Sequence, residues 1–499
     1  MFAATRTRRV AAVVGAAVVA LGLVAPSAQA AGSPADKLVR DVSVTDLNRH
    51  LIAFQRIADR NGGTRADPTP GFQETVGYVR GKLTSAGFDV HVQDFTYQRR
   101  VIDAAVVQVG ATRADPTPLD GSLDTPVGGL TGPLAVIPPD DTPGCDASDY
   151  AGRDVRGAIV LLKRGVCTFT VKQNVAAALG AKAVVVYNYA VGNALGYMDP
   201  AQAKIPIVMV GMDAGAALVT QDGVPATVDV RRHYEPTVSR NLIAQTRTGR
   251  TDNVITLGGH LDSFRAGPGI NENASSIATV LELALKLGPA PEVDNAVRFA
   301  FWGGDPGNSG SVGYLPTLSF EEQLDIALYL DVQAVGSSNG GYFVYDGDNS
   351  DGFGVMPYGS AQIERAYQAF FASRGIPTEG TNVAGAGDYS NFIAAGIPTG
   401  GPYAGIQLIK TPAQQAKWGG VAGLPFDPCH DAACDNLGNI DRTILHTNAD
   451  SIAFVAGTYA MSTEDVNGVP SRAARAKARS AAQATATARG TATSATVAS

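Results

Sequence analysis

The apolar positions fall into distinct textures along the chain. Between residues 44 and 87 they recur at helical spacing and predict two helices, the second over 73–86 with Val76, Val79 and Leu83 on one face and Gly87 ending it. The stretch VHVQDFTY then alternates apolar and polar residues as a half-buried strand does. From about 105 to 235, short valine-rich runs broken by proline and glycine predict a separate, mostly β module with one helix around 172–179. After Arg240 the chain repeats strand, turn and helix. NVITLGG is a strand; Ile277, Val280, Leu281, Ala284 and Leu285 form the apolar face of a helix stopped by Gly288 and Pro289; AVRFAFWGG, DIALYLDV and GYFVY are further strands. That order predicts an α/β sheet covered by helices, with its ligand site beyond the carboxyl ends of the strands.

Length and composition allow two domains: 499 residues, 45% of them hydrophobic, can bury a sizeable core. The first thirty residues add an address. MFAATRTRR, the apolar run from Val10 to Ala25 and PSAQAAG have the basic, apolar and small-residue regions of a secretory signal, with cleavage expected after Ala30 and Arg8-Arg9 hinting at the twin-arginine route. The run is shorter than the ~20 residues that span a bilayer, so a secreted, extracellular protein with no membrane span after cleavage is expected. The net charge of −7 argues against nucleic acid as the main partner. Cysteines in an exported chain predict disulfides, and of the three pairings that four cysteines allow, Cys145–Cys167 with Cys429–Cys434 closes the shortest loops. In the tail 467–499, Arg472, Arg475, Lys477, Arg479 and Arg489 sit among Ala, Thr and Ser, a composition that predicts a disordered, solvated segment or contact with an anionic envelope.

Candidate chemistry gathers just after the predicted strands. His260 and Asp262 end the first, and Glu272 follows a glycine-rich loop; an imidazole with two nearby carboxylates suits a metal site, although a plain hydrogen-bonded pair and a helix-start acid read the same way. Asp305 stands after the next strand, Asp331 and Gln333 after the third, and His430 with Asp431 in DPCHDAACD. Asp388 and Tyr389 are placed to line the same cleft. Each of these, taken singly, also fits ordinary turn chemistry. The acids Asp346, Asp348 and Asp351 read as a solvated turn or a calcium loop, and His446 with Asp450 as a packing or surface pair.

At these residues the chain resembles the secreted zinc aminopeptidases of the leucyl aminopeptidase and aminopeptidase Y kind. HLDS, GPGIN, FAFWG, YFVYDGD, DYSNFI, AGIP and DPC-x4-CD lie in that family's order between about residues 44 and 460. The inserted module resembles a protease-associated domain, with GC, DVRGAIVLLKRGVCTF and ALGAKAVVVYN as its marks. The resemblance implies an α/β fold, a zinc-aminopeptidase-like mixed sheet sandwiched by helices, interrupted by that mostly β domain. It implies a signal at 1–30, peptidase-like segments at 31–105 and 236–466, the protease-associated domain at 106–235, and the tail at 467–499.

Such enzymes hold two zinc ions between a His, a bridging Asp, a Glu, a second Asp and a second His, with a further Glu as general base. Carried over position by position, the first His is His260, the acid that steadies it Asp262, and the bridging Asp is Glu272. The paired acids of the usual WGAEE are Asp305, a degenerate base position, and Pro306. The second ligand Asp is Gln333, with Asp331 two places earlier on the same strand face. The last His is Asp431, with His430 in the place of a tyrosine, and the arginine of GRSDY is Ala386. Proline offers no side-chain ligand and an amide no charge, so none or one zinc is expected in place of two. The leading expectation is a catalytically impaired pseudo-peptidase that binds a peptide or protein partner in the former cleft. The alternative is a metallo-aminopeptidase with one metal on His260, Glu272 and Asp431 and with Asp305 or a water chain as base; the third is adhesion or assembly through the protease-associated domain. The sequence carries no mark of oligomeric state.

Overall fold

The computed structural model describes residues 33–189, 196, 198–304, 309–352, 356–381, 387–463 and 469–481. Helices α1 (Pro34–Asp41), α2 (Val44–Arg60) and α3 (Pro70–Ser85) begin where Ser33, Ser43 and Thr69 accept hydrogen bonds from first-turn amides. Helix α2 buries Leu47, Leu51, Phe54 and Ile57, the helical spacing legible in the sequence. Helix α3 starts at Pro70 rather than at 73, because proline suits a first helical position, and α1 carries too short an apolar pattern to be foreseen.

One sheet runs through the molecule. Its strands are β1 (Val90–Val109), β2 (Leu130–Val136), β3 (Ile159–Lys163), β4 (Ala183–Tyr187), β5 (Ile207–Val210), β6 (Pro225–Gln245), β7 (Arg250–His260), β8 (Asn295–Trp302) and β9 (Ile326–Asp331), with short strands at Thr112–Ala114, paired with the end of β1, and at the edges Thr117–Pro118 and Thr399–Gly400. The order across it is Thr399–Gly400, β9, β7, β8, β6, β2, β3, β4, β5 and Thr117–Pro118. Strands β9, β7 and β8 are parallel, so their carboxyl ends share one edge. Strand β6 turns antiparallel to β8, and β1 pairs with it from Val90↔Ala244 to Val109↔Ala226.

That β1–β6 ribbon joins the two halves. At one end Leu242–Gln245 pair with β8, and at the other Pro225–Val228 pair with β2. The inserted module has β2, β3, β4 and β5 parallel, with α4 (Phe169–Ala178) and the unforeseen α5 (Met212–Val219) packed beside them. Apolar clusters centred on Val160 and Val184 and on Leu161 and Val185 show both faces of these strands buried, which is why they read as unbroken runs of valine. The larger core lies among α1, α2, α3, α6 (Ser276–Leu287), α8 (Arg442–Met461) and the carboxyl-terminal strands, with Tyr367 and Phe370 of α7 (Ser360–Ser373) against it. Both foreseen disulfides are closed, Cys145–Cys167 and Cys429–Cys434. No described helix is long and apolar enough to cross a membrane.

The tail corrects an expectation. Residues 472–481 are helical, and Arg475 and Arg479 are only 2% and 1% exposed. Arg475 donates to Leu324 O, and Arg479 to Gln323 O and Ile326 O, the carbonyls at the end of the short helix Phe320–Asp325. Open carbonyls at a helix end are acceptors that a guanidinium fork fills, so this part of the basic segment docks in place of dispersing in solvent. The segment 1–30, Asp305, Pro306, Ala386 and the rest of the tail, Arg489 included, lie outside the described residues.

Candidate active site

His260 closes β7, and the turn Ile270–Ser275 brings Glu272 back over it: His260 Nε2 lies 3.2 Å from Glu272 Oε1. The other ring nitrogen, Nδ1, faces the carbonyl of Asp262 at 3.1 Å, while the Asp262 carboxylate stands at 3.9 Å. The nearer contact from Asp262 to the ring is thus through its backbone. Gln333 Nε2 donates to Glu272 Oε1 at 3.4 Å. Glu272 is buried and its Oε2 has no hydrogen-bond partner. Burial opposes its ionisation, yet the hydrogen bond and charge of His260, the charge of His430 and the Gln333 amide together hold its pKa below the ordinary glutamate value.

Asp331, at the end of β9, is buried and accepts from Tyr345 Oη at 2.7 Å. Burial and the negative charge of Asp388 push its pKa up to about 7. Asp388 opens the short helix Tyr389–Ala394, and the ring of Tyr389 stands edge-on to Tyr345 with centroids 5.3 Å apart. Both residues therefore neighbour Asp331, two positions along the chain from Gln333.

The Cys429–Cys434 loop supplies the facing wall. His430 Nδ1 lies 3.3 Å from Asp431 Oδ2 and 3.2 Å from Gln407 Nε2. Burial disfavours its imidazolium, but Asp431, Glu272, Asp427 and Asp435 around it raise its pKa. Asp435 accepts the amides of Asn271 and Glu272 at 2.8 and 2.9 Å and so fixes the backbone that carries the central carboxylate. Asp427 accepts from Asn271 Nδ2 at 2.6 Å. Buried beside Asp427, Asp435 is pushed up to about 7. Arg65, also buried, donates to Leu261, Pro268 and Gly269 carbonyls at 2.7–2.9 Å and pins the loop between His260 and Glu272.

The sequence reading singled out neither Asp427, Asp435 nor Arg65. The first two were within reach, as the acids that flank the disulfide in DPC-x4-CD; Arg65 lies in a turn, with no pattern to mark it.

Among the described residues, the donors suit one cation better than two. An imidazole nitrogen beside a buried carboxylate with an unpartnered oxygen is a zinc-type pair. Among the described residues that follow β9, a second ion would draw on Gln333, which is neutral, or Asp331, whose Oδ2 takes Tyr345. Among the described residues, only Asp346, Asp348 and Glu364 bring such ligand atoms all within 4.8 Å of one another. His260, Glu272 and Asp431 are therefore not drawn in to that closeness. The Asp346 group is a satisfied turn: Glu364 Oε2 accepts the amides of Gly347 and Asp348, and Asp346 those of Ser350 and Asp351. His446 and Asp450 form a pair at 3.6 Å on α8.

Residues 241–456 match Peptidase family M28, and residues 130–218 match the PA domain. The probable lipoprotein aminopeptidase LpqL of Mycobacterium tuberculosis is 43% identical over 446 residues, covering 87% of this chain and 89% of that protein. An aminopeptidase of Pseudomonas aeruginosa is 36% identical over 454 residues, covering 86% of this chain and 83% of its own. In fold the chain is similar to a zinc aminopeptidase from Bacillus subtilis, with a TM-score of 0.64 at 21% identity over 85% of this chain and 97% of that one. The alignment with relatives across most of both chains places the protein in peptidase family M28, as a member that carries an inserted PA domain.

Proposed function

We propose that the chain is an exported aminopeptidase that releases N-terminal residues from peptides at the His260–Glu272 centre, with a rearranged site that takes one zinc ion in place of a pair. The observation that carries this is Glu272, a buried carboxylate with one oxygen on His260 and the other without a partner. A buried charge left so is costly unless a cation or donor meets it. Relatives named aminopeptidases, aligned over most of their length, favour cleavage over the non-cutting expectation formed on the sequence.

His260 and Glu272 would hold the ion, with Asp431 brought in from the disulfide loop as the third donor. Zinc on such donors supplies Lewis-acid polarisation of a scissile carbonyl. The chain's own part is positioning: Asp435 and Arg65 fix the loop on which Glu272 sits, and Tyr345 holds Asp331 at the end of β9. The signal pattern of residues 1–30, the disulfides and the word lipoprotein in a relative's name support export. The PA domain, tied to the body by the β1–β6 ribbon, would flank the approach of peptides.

A second reading, peptide binding without cleavage, is favoured by Gln333, whose amide meets Glu272 where the family resemblance places a ligand aspartate. Zinc content after thorough dialysis, measured beside release from amino-acid p-nitroanilides, separates the two. About one equivalent of zinc, with release abolished by a chelator, is the expected result. Peptide binding with neither zinc nor release would establish the second reading instead.

A further inference from the structure

A cavity of about 380 Å³ lies where the β1–β6 ribbon meets the loop after Asp262, lined in part by Asp67, Tyr97, Arg99, Ile102, Tyr234 and Phe264. Several of its polar atoms lack a hydrogen-bond partner. Both carboxylate oxygens of Asp67, Tyr97 Oη and Arg99 Nε are buried without a hydrogen-bond partner, and so is Ser239 Oγ beside Asp67. Asp67 itself is only 3% exposed. Tyr97 and Ser239 stand close enough to favour its ionised form. Each such atom costs on the order of 1–3 kcal/mol, so a cluster of them around one space marks a place built to be filled.

The surrounding charges decide by what. Arg99 is paired with Glu235 and Arg100 with Asp120. Arg265 is exposed to solvent and reaches the Asp67 carbonyl at 3.4 Å. Asp67 is the deeply buried one among these charges; burial drives its pKa up and outweighs Arg265 and Arg99, which ease its ionisation. Around it stand the rings of Tyr97, Tyr234 and Phe264, faces that attract a cation, with the apolar Ile102, and Tyr234 and Ile102 are 59% and 41% exposed at the rim.

We infer that this cavity is a second binding site, for a primary ammonium group carried on an apolar body, with the ammonium on Asp67 and the body among the rings. The occupant is either the amino end of a peptide that begins with a hydrophobic residue or a free amine. The assignment does not depend on whether the chain cuts peptides.

Calorimetry on the full chain carrying Glu272→Gln, which disables the proposed cleavage centre, tests it with 2-phenylethylamine, the peptide Phe-Gly-Gly and their N-acetyl forms. Binding of at least one free amine, about tenfold or more weaker after acetylation and lost on adding Asp67→Asn, is expected. Peptide binding as tight as that of 2-phenylethylamine identifies peptide ends as the source; binding of 2-phenylethylamine alone identifies free amines. Asp67→Asn relieves a buried charge, so its melting temperature should stay level or rise while binding is lost. Tyr97→Phe, which keeps the ring, should weaken binding several-fold. Equal affinity for the acetylated probes, no binding of either free amine, or affinity unchanged by Asp67→Asn would overturn the site.

Discussion

Gln333 Nε2 donates to Glu272 Oε1 across 3.4 Å, although 61 residues separate them in the chain. The strand that ends at Asp331 delivers an amide to the carboxylate that faces His260, and an amide brings a dipole where an acid would bring a charge. Gln333→Asp would set two carboxylates against each other in a buried site, and like charges so placed resist joint ionisation. The metal-free variant should melt below the wild type at pH 8. Zinc should reverse the order, with affinity raised on the order of tenfold or more, since changes around metal ligands alone shift affinity about 10–100-fold. Thermal unfolding with and without zinc reads both; a variant indifferent to zinc would remove Gln333 from the centre.

Asp435 gives a second prediction, because it holds the site from behind. Asp435→Ala leaves the buried amides of Asn271 and Glu272 without their acceptor, at about 1–3 kcal/mol each. Urea unfolding should show a loss on the order of 2–5 kcal/mol, and zinc retention should fall with it. Asp435→Asn, which keeps one carbonyl oxygen, should lie between. Unchanged stability in both variants would mean that the turn at Ile270–Ser275 keeps its shape unaided.

How much of this was legible follows from the range of each signal. The apolar spacing of α2 and α6 and the buried runs of β7, β8 and β9 are local patterns, and with them went the position of His260 at a strand end. The pairing of His260 with Glu272 was legible as well, because both flank one glycine-rich loop. What escaped was long-range. Nothing local places Arg65 against the carbonyls of Leu261 and Gly269, or turns the Asp331 carboxylate to Tyr345. The tail escaped for a different reason: its composition describes a chain in water, whereas its arginines answer carbonyls more than 150 residues away. The second helix of the PA domain, α5, was hidden by glycine and by its brevity.

Asp331 makes the stability depend on pH. Its folded pKa of about 7 lies above the ordinary value of 3.8, so between these two the folded protein binds protons that the unfolded chain releases. Stability therefore falls as pH rises from about 4 to about 7 and stays down above that window. Asp331→Asn retains an oxygen for Tyr345 Oη and removes the charge that opposes Asp388. In chelator-treated protein the variant should match the wild type near pH 4 and exceed it at pH 8, on the order of a few kcal/mol. Urea unfolding at several pH values checks this, and parallel profiles for the two proteins would exclude Asp331 as the titrating group.

The docked arginines carry the last prediction. Arg475 donates to Asn253 Oδ1 at 2.8 Å, Pro470 O at 2.9 Å and Asp252 O at 3.2 Å as well as to Leu324 O, tying the carboxyl-terminal helix to the entry of β7 and to the short helix before β9. Cutting it to Ala strands several buried acceptors at once, so Arg475→Ala should lower the unfolding free energy by roughly 2–4 kcal/mol. Arg475→Lys should recover little of it, because an ammonium cannot span a fork of acceptors that a planar guanidinium reaches together. Lys477, exposed on the same helix, is the internal control, and its change to Ala should stay within about 0.5 kcal/mol. If Arg475→Ala and Lys477→Ala unfold alike, the helix is not docked in solution and the composition-based picture of a solvated tail stands; if they differ as expected, the arginines are part of the fold that positions β7 and β9, and so His260 and Asp331 at their ends.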